Sequence, residues 1–128
     1  MIWRWVEASV AFAIHDRQLA EHGGLDGVRD RGAVESALAR PQNLAAYGAP
    51  DVADLAAAYA YGLARNHGFA DGNKRTAWVV ARLFIADNDD TLRFDPLDAI
   101  RTMEGVAAGA IDEALLARWF RDRIIPPA

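Results

Sequence analysis

The sequence predicts an all-α fold: a compact single-domain bundle of about six helices around a central apolar helix. Three observations carry this. Apolar residues recur every three or four positions through most of the 128-residue chain, the pattern of helices with one buried face. Alanine is abundant and β-branched residues are modest in number, which favours helix over strand. From Thr76 to Ala86 the only charged residue is Arg82, so the helix expected over 73–87 is apolar nearly all round and belongs inside a bundle. Residues 1–128 are read as one domain, long enough and, at 52% apolar, rich enough for a single core.

The first helical pattern covers 5–21, with Val6, Val10, Ala13, Ile14 and Arg17 spaced by three or four, and Gly23-Gly24 is its stop signal. His15 and His22 lie two turns apart, about 10 Å, too far to share a metal; they read as surface or capping histidines. Residues 24–32 are turn-rich. Asp30 is placed to cap a short helix over 32–40, which Pro41 is expected to break. Residues 41–50 then have loop composition. Asp51 caps the helix expected over 52–66, whose buried face is Leu55, Ala56, Tyr59, Ala60, Leu63 and Ala64. Arg65 is expected to pair with an acidic neighbour or to assist phosphate binding. After 73–87, the run Asp87-Asn88-Asp89-Asp90 reads as a solvated helix end. Thr91 to Phe94 alternates like a short extended segment. Helices follow over 96–108 and 112–123, the second offering Leu115, Leu116, Trp119 and Phe120 to the core, and the Ile124-Ile125-Pro126-Pro127 end cannot continue a helix.

Composition excludes several classes of function. Without cysteine there is no disulfide, thiol nucleophile or thiolate zinc site, which suits a reducing cytoplasm. No signal-peptide pattern opens the chain, and no apolar run reaches the ~18 residues that span a bilayer, so no membrane partner is expected. A net charge of −4 argues against general nucleic-acid binding.

The chemistry concentrates in His67-Gly68-Phe69-Ala70-Asp71-Gly72-Asn73-Lys74-Arg75, where a glycine-bearing loop runs into the apolar helix. A helix N-terminus presents unpaired N–H groups and partial positive charge, and it binds phosphate readily. Gly72 lets backbone approach a ligand closely, while Lys74 and Arg75 add full positive charges in the same turn. Cations there oppose the helix dipole, a penalty that a bound polyanion reverses. Asp71 beside phosphate calls for a bridging cation such as Mg²⁺. His67 suits a general base near neutral pH. Together these residues read as a phosphoryl or nucleotidyl transfer site. The spacing of Gly68 and Gly72 does not fit the G-x-x-x-x-G-K-[ST] loop of the P-loop nucleotidases.

The stretch His67 to Arg75 resembles the signature of the Fic/Doc family, approximately H-x-F-x-[DE]-G-N-[GK]-R, and in particular its Doc (death-on-curing) branch, where lysine stands at the second glycine of the Fic motif. Arg75-Thr76-Ala77, His22-Gly23-Gly24-Leu25 and the run Gly27 to Gly32 resemble the same branch, so the similarity extends over most of the chain. The resemblance implies the Fic/Doc fold and an enzyme that uses nucleotides to modify protein hydroxyls. His67 would be the base, Asp71 the Mg²⁺ ligand, and Gly72 and Asn73 the phosphate binders; Lys74 and Arg75 would hold the ATP polyphosphate and its developing charge. It also implies that 24–40 borders the active face and that 42–48 is a flap holding a target peptide by main-chain pairing. Gly68 for proline, Lys74 for glycine and Trp78 for a second arginine depart from the Fic pattern as Doc does. For the Doc branch the implied activity is a Mg²⁺-dependent protein Ser/Thr kinase of a toxin–antitoxin module. It would phosphorylate elongation factor Tu or a similar translation factor, arrest translation, and be neutralised by a Phd-like antitoxin in the cytoplasm. No internal inhibitory helix of the kind some Fic proteins carry is evident. Fic-type AMP transfer is the alternative reaction, and a catalytically silent protein-binding module the alternative class.

Overall fold

The structure, a computed structural model, describes residues 2–125; the expected stop at Pro126-Pro127 lies outside them. Six helices follow in order: α1 (Ala8–His22), α2 (Arg31–Tyr47), α3 (Val52–Arg65), α4 (Asn73–Asp87), α5 (Pro96–Ala108) and α6 (Glu113–Arg123). The only sheet among the described residues is a two-stranded antiparallel ribbon, β1 (Thr91–Leu92) with β2 (Ile124–Ile125), in register Thr91–Ile125 and Leu92–Ile124. The ribbon fastens the segment after α4 to the end of α6, and Arg93 N–H donates to the Arg123 carbonyl at 2.9 Å to extend it.

The place at the centre that the sequence gives to 73–87 is shared with α3, which is the more completely buried. Leu55, Tyr59 and the alanines at 53, 56, 57, 58, 60 and 64 are all at or near zero exposure. α3 packs against α2, α4, α5 and α6. Its small side chains are what permit this: Gly62 lies so close to α2 that a Cβ there would sit 3.2 Å from the Ala37 Cβ. α4 turns Ala77, Val80, Ala81, Phe84 and Ile85 inward but leaves Lys74, Arg75 and Arg82 exposed. The buried positions of α1 are Ala11 and His15, while Val10 is exposed. In α6, Leu116 and Phe120 enter the core and Leu115 does not.

Pro41 does not break its helix. α2 runs on through it to Tyr47. A proline inside a helix forfeits one hydrogen bond and crowds the preceding turn, but this ring is buried with Val34, Ala37 and Leu38, and burial offsets the lost bond. The segment 42–48 is consequently not an extended flap: its main chain through Tyr47 is taken up by the helix and cannot pair with a peptide as a strand.

Side-chain caps start most helices. Asp30, Asp51, Asp95 and Asp112 accept from backbone N–H groups of α2, α3, α5 and α6. Asp51 and Asp54 form a reciprocal capping box, and Arg121 reaches both carboxylates at 2.7 and 2.8 Å, tying α6 to the start of α3. The Arg121 hydrogen bond, with help from Asp54, pulls the Asp51 carboxyl down to about 2. A depressed folded-state value means that Asp51 stabilises the fold above the ordinary carboxylate range and loses that contribution as pH falls towards 2. The melting temperature should therefore drop over that acid window. Arg121→Met should flatten the drop in a pH series of thermal melts. The effect will be small, because both partners are about half exposed; identical acid limbs in the two proteins would show that the pair contributes nothing.

Asn88 is not merely a solvated helix end. Its side chain exchanges hydrogen bonds with both the N–H and the carbonyl of Arg4, at 2.9 and 3.0 Å, and so pins the N-terminal segment to the end of α4. Trp3 and Trp5 of that segment then pack on Phe84. No helix among the described residues is long and apolar enough to cross a membrane.

Candidate active site

The loop between α3 and α4 is built by a sharp exit, a buried anchor and a left-handed entry. α3 ends as Asn66 N–H donates to Gly62 O at 3.0 Å, and the Asn66 side chain donates to Ala33 O of α2 at 3.2 Å. His67 follows in the left-handed region, φ 50°, a conformation that a residue with a side chain holds only under local constraint. This turns the chain off the helix axis and leaves the imidazole exposed in the cleft.

Gly68 is buried where the chain passes α2. Its carbonyl accepts from Arg29 and Asp30 N–H at 2.8 and 2.9 Å, and a Cβ at this position would collide with the Val34 side chain. This is the physical reason that glycine stands where the Fic pattern has proline. Phe69 is the anchor, 1% exposed, with its ring edge-on to Phe12 and stacked on His15. Asn73 braces the loop from inside: its side chain accepts from Phe69 N–H at 3.1 Å and donates to Phe69 O at 3.0 Å.

The turn-rich segment 24–30, which the resemblance puts on the active face, grips this loop directly. Ala70 N–H donates to Gly27 O at 3.0 Å, Val28 and Phe69 form an isolated bridge, and Leu25 N–H donates to Asp71 Oδ2 at 3.2 Å. Gly24 must stay small, since a Cβ would lie 2.8 Å from that same oxygen. The other Asp71 oxygen accepts from Gly72 N–H at 2.8 Å. These two N–H groups, Gly72 first, hold the Asp71 carboxyl below the usual carboxylate range, and the charge of Arg75 assists. Asp71 is therefore anionic at neutral pH and exposed at the mouth of the loop.

Gly72, at φ 77°, is the N-cap of α4, and the first intrahelical bond is Thr76 N–H to Gly72 O. The N–H groups of Asn73, Lys74 and Arg75 thus lack helical acceptors. Among the described residues neither Lys74 nor Arg75 joins an ion pair. Open N–H groups, the positive end of the dipole and free cations meet at one point, the arrangement that holds phosphate.

All six residues expected to form the site, His67, Asp71, Gly72, Asn73, Lys74 and Arg75, line one cleft of about 1020 Å³. Within it the Asn73 side chain is committed to the loop, which leaves its backbone N–H for a ligand. Gly72 contributes conformation, because its own N–H is taken by Asp71. The cleft extends beyond the motif along Trp78, Phe94, Ile100 and Met103, with Arg82 lying over the Phe94 ring at 4.9 Å. Phe94, Ile100 and Met103 escaped sequence reasoning because they come from a separate stretch with no motif of its own. Among the described residues Arg65 neither pairs with an acid nor reaches the cleft loop: it donates to the Val106 and Ala107 carbonyls, closing the end of α5.

Comparison with known proteins gives the family of the chain. The family model described as the Fic/DOC family matches residues 5–85. The chain is 34% identical over 119 residues to the protein kinase doc of Escherichia phage P1, covering 92% of this chain and 94% of that protein. It is 47% identical over 76 residues to the toxin Doc of Mycolicibacterium smegmatis (strain ATCC 700084 / mc(2)155), covering 57% of this chain and 58% of that one.

Proposed function

This chain belongs to the Fic/DOC family, and from that membership we propose that it is a Doc-like toxin. It transfers the terminal phosphate of ATP to a Ser or Thr hydroxyl of a translation factor resembling elongation factor Tu. The observation that carries the reading is Lys74: a free cation in the first turn of α4, beside three open N–H groups, at the one motif position where transfer of AMP calls for a small residue. The relatives named as a kinase and a toxin support the same direction.

In this reading His67 takes the proton of the target hydroxyl as its oxygen bonds to the γ-phosphorus. The bond from that phosphorus to the bridging oxygen breaks, and ADP leaves. The N–H groups of Asn73, Lys74 and Arg75 hold phosphate oxygens, and the two side chains meet the charge that grows on the leaving group. The donor set suits Mg²⁺, which is ordinarily held by one or two carboxylates together with substrate phosphates and water. Asp71 is the carboxylate of the loop, is anionic, and keeps lone pairs beyond its two N–H bonds. Bound Mg²⁺ would neutralise phosphate charge there. A cleft of this kind in a toxin calls for control in trans, by a Phd-like antitoxin.

Incubation of the purified protein with bacterial lysate and γ- or α-labelled ATP, with intact-mass analysis of any labelled band, tests the proposal. Label from the γ position with the mass of a phosphate is expected. Label from the α position with the mass of AMP would overturn it in favour of the ordinary Fic reaction. Lys74→Ala should lower turnover by roughly 10²-fold or more. Because the side chain is exposed and opposes the helix dipole, stability should change by no more than a few tenths of a kcal/mol. An unfolded Lys74→Ala protein would instead assign the lysine to the fold.

A further inference from the structure

His15 has no place in the chemistry above, yet it is among the most deeply buried polar side chains of the molecule, 2% exposed. It projects from α1 beneath the active loop. Its ring stacks on Phe69 with centroids 3.7 Å apart and planes 9° apart. Its Nε2 lies 2.8 Å from the Asp71 carbonyl, and because a carbonyl only accepts, Nε2 carries the hydrogen and donates it. The ring also forms the floor under Gly72: a Cβ built there would meet His15 Cδ2 at 3.6 Å.

This hydrogen bond controls more than one atom. The Asp71–Gly72 peptide is trans, since the described chain has no cis bonds, and in a planar trans peptide the carbonyl and the N–H point in opposite directions. Drawing the carbonyl down onto His15 turns the Gly72 N–H up, and that N–H is the one that holds Asp71 Oδ1 at 2.8 Å. Leu25 N–H then holds Oδ2. The direction of the carboxylate is thus set from below by a residue that never reaches the cleft.

We propose that His15 is a positioning residue of the transfer site, fixing the Asp71–Gly72 peptide plane and through it the Asp71 carboxylate and the entry into α4. The proposal rests on the reading of Asp71 as a cation ligand, and its test separates the two. H15F keeps a ring on Phe69 and removes the donor; H15Q keeps a donor and removes the ring. The readouts are amide hydrogen exchange of residues 69–75 without ligand, the melting temperature, and the Mg²⁺ concentration dependence of kcat and KM with ATP.

Outer partners of a metal ligand ordinarily change affinity or rate about 10- to 100-fold. H15F is expected to raise the Mg²⁺ requirement by about tenfold, with faster exchange at Gly72, whose N–H is bonded to Asp71, and little change in melting, and H15Q to recover part of both. Unchanged loop exchange and Mg²⁺ dependence in H15F would overturn the proposal. Exchange that rises over the whole chain in step with a lowered melting temperature in both variants would do the same, reducing His15 to a core residue. Should H15F not fold, H15Q decides: loop exchange near that of the wild type supports the donor, and a freely exchanging loop refutes it. If the unsubstituted protein neither uses nor binds Mg²⁺ with ATP, the kinase reading fails, while the exchange comparison still reports on His15.

Discussion

His67→Ala is expected to lower phosphate transfer by about 10²–10⁴-fold, the range for removal of a general base, and to leave the fold standing. The two halves of this expectation come from the same local geometry. The imidazole is exposed and lines the cleft, so no core contact goes with it. What holds the loop lies on either side: the Gly68 carbonyl bonded to Arg29 and Asp30, and the Asn66 side chain bonded to α2. Alanine at φ 50° is somewhat more strained than histidine, which gives a small loss in melting temperature and no collapse. In cells, growth arrest on expression should disappear. Persisting arrest with undiminished transfer would remove His67 from the mechanism; arrest without transfer would point to action through protein contact alone.

Phe69→Ala should have the largest effect on stability of any change in the loop, about 3–5 kcal/mol. Transfer of the ring from water alone accounts for roughly 2 kcal/mol. The remainder is the cavity, since the ring is enclosed by His15 on one face and by Phe12 at the edge, on a helix that cannot collapse into the space. Against a total of about 5–15 kcal/mol for an ordinary domain, this is a large share. Equilibrium unfolding in urea would measure it. A loss below about 1 kcal/mol would mean that the bonds from Gly27, Leu25 and Asp30 hold the loop without the ring. Together with His67→Ala this separates chemistry from architecture within three consecutive residues.

Those parts of the protein that are encoded locally were legible in the sequence. The motif from His67 to Arg75, the cap at Asp51 and the helices over 52–66, 73–87, 96–108 and 112–123 all rest on neighbours a few residues apart, and the structure has them within a residue. What escaped depends on partners far along the chain. Pro41 reads as a breaker because the loss of a hydrogen bond is local, whereas the burial that offsets it comes from tertiary contact. His15 reads as an ordinary surface histidine because its stacking partner and its acceptor are both in another segment. The run of alanines in α3 looks less hydrophobic than the side chains of α4, yet smallness is what lets four neighbouring helices close upon it. Arg65 reads as a phosphate or carboxylate partner because the end of α5, which it closes, carries no signal in the residues around it.

The clasp between the 24–30 turn and the active loop also sets an order of events in time. Leu25 and Asp71 are 46 positions apart and His15 and Asp71 are 56, so each bond closes a long stretch of chain and repays its entropy only after the helices between are docked. A folding chain can form α3 and α4 early from their own sequences, but it acquires an aimed Asp71 only when α1 and the following turn have come to rest. On the reading of Asp71 as a cation ligand, a chain that lacks these contacts carries the motif without the aimed carboxylate, so the site is complete only once its long-range bonds have closed.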